Sequence, residues 1–198
     1  MTNITENLNR FIFDGEKHGK LNRYYSWNIV FEDFSFSKDI NFLARSLSLY
    51  LASWGMMRGS SKLLTDFSYR VHKGAVEIIV DNYTLLCDHP DRDNIDDYVD
   101  NVWNVIVELR GYYGNHGVSA TDTLLSKIML GTVASTPAYD QYFKEFLRTT
   151  NMIQAHGKKS LNQVWRYYFE NISYFMEYNF PPMKLIDMIG FQYGFFKK

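Results

Sequence analysis

Asp140 stands at a junction where its residue type matters. The stretch "STPAYDQYF", Ser135 to Phe143, follows the helix-forming run "TDTLLSKIMLGTVA". Pro137 stops that run, and the chain turns helical again just after the aspartate. Two uses of the carboxylate fit this pattern. It can cap the next helix by accepting backbone N–H groups. It can also be a catalytic anion aimed into a pocket. A second conspicuous stretch is "LASWGMMRGSSKLL", residues 51 to 64, in which Trp54, Gly55, Arg58, Gly59, Ser60 and Ser61 interrupt a helical pattern. Arg58 could fork onto a phosphate or carboxylate, and Trp54 could stack on a planar group. The plainer alternative is a tight turn with a core tryptophan and a structural arginine. "YYSWN", Tyr24 to Asn28, adds another cluster of rings and polar groups.

Other chemistries lack their residues. The five histidines are scattered without metal-ligand spacing, and no dinucleotide or Walker pattern occurs. No metal and no cofactor are therefore expected. The single cysteine, Cys87, forms no internal disulfide and fits a reducing cytoplasm. The N-terminus lacks the pattern of a signal peptide, and no apolar run reaches membrane-spanning length. A cytoplasmic protein with no membrane partner is the expectation. The net charge of −1 argues against a broad basic field for nucleic acid but leaves room for local contacts.

The elements that must hold these residues read as helices. Over residues 38 to 54, Leu43, Leu47, Tyr50, Leu51 and Trp54 share one face, with Ser37 as cap and Gly55 as terminator. Over 95 to 110, Val99, Val102, Trp103, Ile106 and Leu109 form a stripe, and Asp96 and Asp97 suit the positive end of the helix dipole. "VHKGAVEIIVDNYTLL" fits strand or helix, and helix is preferred because no partner strand is evident. A helix over 161 to 176 is expected to start with a Ser160–Gln163 capping box. Pro181 and Pro182 precede a last helix. The segments "FDGEKHGKLNRYYS" and "NMIQAHGKK" read as loops. Aromatic residues make up 17% of the chain, which suits a ring-rich core or a pocket for planar ligands. The fold class is all-α, one helical domain over 1–198, open to a bilobal form with a cleft.

From Val102 onward the order is helix, "GNHGVSA" turn, second helix, then "STPAYD". This segment, about 102–145, resembles the helix-hairpin-helix DNA glycosylases, with the helix-hairpin-helix element at about 102–134. "GVSAT", Gly117 to Thr121, resembles the start of their hairpin and second helix, and Pro137 to Asp140 resembles their Pro-x-x-Asp. The resemblance implies that Gly114, His116, Gly117 and Ser119 hold the DNA backbone, through N–H groups and a helix N-terminus. It implies that Asp140 is the catalytic carboxylate facing a flipped nucleotide in double-stranded DNA. Candidate base-pocket residues are Tyr24, Trp27, Trp54, Arg58 and Tyr139.

Departures from the family pattern refine the expectation. Strand-cutting members carry a lysine nucleophile where this chain has Thr121, so the implied enzyme is monofunctional and leaves an abasic site. Lys127 lies farther along the helix and is not assigned that nucleophile role. Ser119 replaces a hairpin glycine, and there is no cysteine cluster for iron–sulfur. "YLASWGMMRGSS", "SKIMLG" and "PAYDQYF" together resemble a family of hypothetical bacterial proteins, which brings no activity with it. By analogy with antiviral glycosylases, phage DNA with modified bases is a natural substrate class. Two other readings stay open: a noncatalytic DNA-binding module using the same hairpin, and an α-helical protein-interaction protein.

Overall fold

Why Asp140 ends where it does follows from two helices that are buried on all sides. In a computed structural model describing residues 3–197, with the side chain of Ser60 left aside, α7 (Asp122–Thr132) is buried from Leu124 to Thr132. The last helix, α10 (Pro182–Phe196), is buried from Met183 to Gln192 and again at Gly194. Both are apolar around most of their circumference, as an interior helix must be.

The remaining helices surround them. They are α1 (Ile4–Glu16), α2 (Tyr25–Phe36), α3 (Ile40–Ser53), α4 (Lys73–Asp81), the short α5 (Tyr83–Cys87), α6 (Ile95–Asn115), α8 (Gln141–Thr149) and α9 (Lys158–Glu170). Single 3-10 turns lie at Gly19–Leu21, Gly59–Ser61, Tyr69–His72 and Ile172–Tyr174. No strand occurs among the described residues. The fold is all-α, and the ambiguous "VHKGAVEIIVDNYTLL" is helical. One continuous core links α1 to α10, so the bilobal form is replaced by a single compact unit.

Close packing depends on missing side chains. A Cβ on Gly194 would lie 2.4 Å from the Tyr142 carbonyl oxygen, and one on Gly190 would lie 2.3 Å from the Phe143 ring. These glycines let α10 pass directly beneath the start of α8.

Several expected caps are displaced. α3 is capped by Asp39, whose Oδ1 accepts from Asn41 and Phe42 N–H, while Ser37 accepts from the Asp39 N–H. The aspartate wins because its carboxylate reaches two N–H groups at once. Gly157 precedes α9, not a Ser160–Gln163 box. Ser160 instead donates to the Ile153 carbonyl and Gln163 accepts from the Ile153 N–H, so both brace the preceding loop. α9 ends at Glu170, and α6 runs on to Asn115. α1 and the start of α2 take up much of the expected loop before Trp27. The Ser61 hydroxyl donates to the Met56 carbonyl across the turn that follows α3.

Candidate functional site

Between α7 and α8 runs a loop, residues 134 to 139, that is buried throughout. Buried loops are uncommon because their backbone polar groups need partners. Here the partners are side chains. Asp187 Oδ1 accepts the Ala138 N–H at 3.0 Å, and Ser126 Oγ accepts the Tyr139 N–H at 2.8 Å. Thr123 donates to the Tyr139 carbonyl at 2.9 Å. Ala134 sits in the left-handed region at φ 49°, a costly conformation for alanine that lets the chain leave α7 sharply. The loop delivers Asp140 to the first turn of α8.

Asp140 is both helix cap and ion-pair partner. Its Oδ1 accepts from the Tyr142 and Phe143 N–H groups at 3.0 and 3.1 Å. Its Oδ2 accepts from Lys127 Nζ at 3.2 Å. All three are donors, complementary to a carboxylate anion. The Lys127 side chain is 6% exposed and that of Asp140 17%.

A second pair lies beside the first. Lys184 and Asp187, one turn apart on α10, place Nζ and Oδ2 3.7 Å apart. Both are enclosed. Burial is the main cause that lowers Lys184 to about 8, with Asp187 opposing the shift and Lys127 adding to it. Burial also raises the Asp187 carboxyl, against the pull of Lys184 and Lys127 and with the push of Asp140. The Tyr50 hydroxyl is raised well above its ordinary range, chiefly by burial and then by Asp187 and Asp140. Two lysines, two aspartates and a tyrosine therefore share one interior field.

A stack of rings covers the cluster. Phe11 and Tyr24 stack at 4.8 Å, and Tyr24 and Trp54 at 5.6 Å. Each lysine stands against one end of the stack. Lys184 Nζ is 4.9 Å from the Phe11 ring centre, and Lys127 Nζ is 5.0 Å from that of Trp54. Trp27 also faces Lys184 at 4.9 Å. Its indole N–H is spent on the Leu130 carbonyl at 2.8 Å. The Trp54 Nε1 is buried without a hydrogen-bond partner.

Tyr24, Trp27, Trp54 and Asp140, expected as site residues, thus meet in one neighbourhood. Arg58 is exposed and borders a cavity of about 430 Å³ together with Arg23 and Trp54. Tyr139 does not fit a pocket role. It is a core residue with no exposure, its hydroxyl 2.8 Å from Ser160 Oγ and its ring against His156.

Gly114, in the last turn of α6, and His116, Gly117 and Ser119, on the turn between α6 and α7, are exposed. That turn closes α6 with a Schellman motif, in which the Val118 N–H reaches the Tyr113 carbonyl and the Gly117 N–H that of Gly114. Gly117, at φ 78°, supplies the left-handed step. Thr121 caps α7 by accepting the Leu124 N–H at 3.2 Å. Arg110 binds Asp122 and the Ala120 carbonyl across the turn. Along α7, Lys127 lies about 9 Å beyond this cap at the usual helical rise.

Sequence reasoning passed over Lys127, Lys184, Asp187 and Tyr50. A signal for the first three exists. "TLLSKIML" and "PMKLIDMIGF" are apolar helices interrupted by isolated ionisable residues, which rarely enter a core without a partner or a task. Among the described residues no group of His, Cys, Asp and Glu could hold a metal ion, and no helix is long and apolar enough to cross a membrane. No family model, no curated protein and no solved structure matches the chain.

Proposed function

We propose that this protein is a monofunctional DNA glycosylase that hydrolyses the N-glycosidic bond of a modified or damaged base and leaves an abasic site. The observation that carries the reading is the setting of Asp140: a carboxylate held by two helix N–H groups and Lys127, next to the Tyr24–Trp54 ring pair. As the bond between the sugar C1′ and the base nitrogen breaks, positive charge develops on the sugar. Asp140 stabilises that charge and takes the proton of the water that adds to C1′. The departing base leaves with the bonding electrons. Lys127 is a positioning residue that fixes the carboxylate. Trp54 and Arg58, with Arg23, bound the space where a flipped base and its phosphate would be received, and Tyr24 backs the Trp54 ring. Gly114, His116, Gly117 and Ser119 form the exposed face that meets the DNA backbone; the His116 and Gly117 N–H groups are spent on the Tyr113 and Gly114 carbonyls and do not make that contact.

Base release tests the reading. Wild-type protein and Asp140→Asn are incubated with double-stranded DNAs, including phage DNA with hypermodified cytosines, and then treated with alkali. Breaks at abasic sites with wild type, reduced at least about 100-fold in Asp140→Asn, are the expected result. DNA binding without release on any substrate would reassign the chain to a noncatalytic DNA-binding module. Neither binding nor release would overturn the DNA reading altogether.

A further inference from the structure

The other half of the charged cluster opens on a different space. A cavity of about 310 Å³ is lined by Phe11, Tyr24, Tyr25, Phe180, Met188 and Lys184, among others. This is the size range of small-molecule pockets. Its walls are mostly rings and aliphatic groups. Two further charged residues border it, Glu16 and Lys20, and both are exposed, whereas Lys184 is 3% exposed. The Lys184 amine is thus the buried ionisable group that a ligand in this cavity would meet.

We propose that Lys184 is the amine of an imine-forming site for a small ligand with a planar, apolar body and an aldehyde or ketone. The ring walls receive the body, and the carbonyl carbon meets Nζ. The Nζ lone pair forms the new C–N bond as the C=O π pair moves to oxygen and is protonated. The carbinolamine then loses its hydroxyl as water, Nζ gives up its proton, and the C=N bond forms. One amine and one carbonyl give one imine and one water, with no redox change. Asp187, 3.7 Å away, is placed to carry the protons between nitrogen and oxygen. A desolvated lysine lowered to about 8 has a useful fraction of free amine near neutral pH.

The test needs no DNA, so it stands or falls apart from base release. The intact protein is incubated with benzaldehyde and cyanoborohydride, which reduces an imine to a stable benzylamine, and adducts are mapped by peptide mass spectrometry. The expected result is an adduct at Lys184 that outweighs those at exposed lysines such as Lys17, Lys20 and Lys38, and that is lost in Lys184→Met. Adducts confined to the exposed lysines, with Lys184 unmodified in the wild-type protein, would overturn the proposal. The wild-type map decides the matter even if Lys184→Met does not fold.

Discussion

The two buried lysine–aspartate pairs share a field but are built differently. Lys127 and Asp140 come from separate segments and meet at 3.2 Å, and the carboxylate also accepts two helix N–H groups. Lys184 and Asp187 share one helix and stand 3.7 Å apart, with one backbone N–H bound to the carboxylate. In the first pair the donors surround the anion. In the second, burial dominates: it drives the lysine down and the aspartate up, toward exchange of a proton between them. One buried pair can therefore hold a carboxylate fixed while its neighbour keeps an amine close to neutrality. A shared interior does not impose one hydrogen-bond geometry on every pair in it.

Removing a carboxylate from each pair tests this contrast most strongly. Asp140→Ala leaves two α8 N–H groups unmet and the Lys127 charge without its partner, so a loss of about 3–5 kcal/mol is expected in denaturant unfolding. Asp187→Ala leaves only the Ala138 N–H unmet. Lys184 can respond by losing its proton, because burial already favours the neutral amine. The expected loss is smaller, about 2–3 kcal/mol, and Lys184 should titrate below about 8 in a lysine-selective NMR experiment. Equal losses for the two variants would erase the distinction.

Only part of this arrangement is legible from sequence. The helices over 38 to 54 and 95 to 110 show in their apolar spacing, because periodicity is a local property. Asp140 as a cap shows as well, since the proline before it and the helix after it are neighbours in the chain. The meeting of Lys127 with Asp140, and of both with Lys184 and Asp187, does not show. It depends on α10 packing beneath α8 and on Asp187 reaching the loop that follows α7, which no local pattern encodes. Tyr139 illustrates the reverse. Its place beside Asp140 suggests a pocket, but a tight turn, in which the Asp140 N–H reaches the Ala138 carbonyl, sets its ring toward His156 and Ser160. Ser160 and Gln163 match a capping box in spacing, yet a tertiary contact with Ile153 claims both side chains.

Acid stability supplies the background against which both pairs must be read, and it rests on other groups. Burial lowers His72 and His156 to about 4 each. The folded values lie below the ordinary 6.5, so the unfolded chain binds more protons as pH falls from 6.5 toward 4. Stability is lost in that window and is fully present above it. At pH 5 each histidine should cost about 2 kcal/mol relative to pH 7. The pH dependence of unfolding between pH 7 and 5 should flatten in His156→Phe, which keeps the ring contacts with Trp103 and Tyr139. An unchanged slope would remove His156 from the acid sensitivity and leave it with His72.

The finest division lies within Asp140 itself, between its work as cap and its charge. Asp140→Asn keeps a side-chain oxygen where Oδ1 accepts the Tyr142 and Phe143 N–H groups. Asparagine caps helices about as well as aspartate. What disappears is the negative charge beside Lys127 and at the positive end of the α8 dipole. With the oxygen kept at the cap, the amide NH2 replaces Oδ2 and meets Lys127 donor to donor, so Lys127 keeps only its contact with the Trp54 ring. The expected loss of stability is about 2–3 kcal/mol in denaturant unfolding, below that of Asp140→Ala because the two N–H groups stay capped. If the charge is what the chemistry needs, this variant still folds, with its cap intact, while base release collapses. A variant that kept base release at wild-type rate would leave Asp140 as a helix cap and no more.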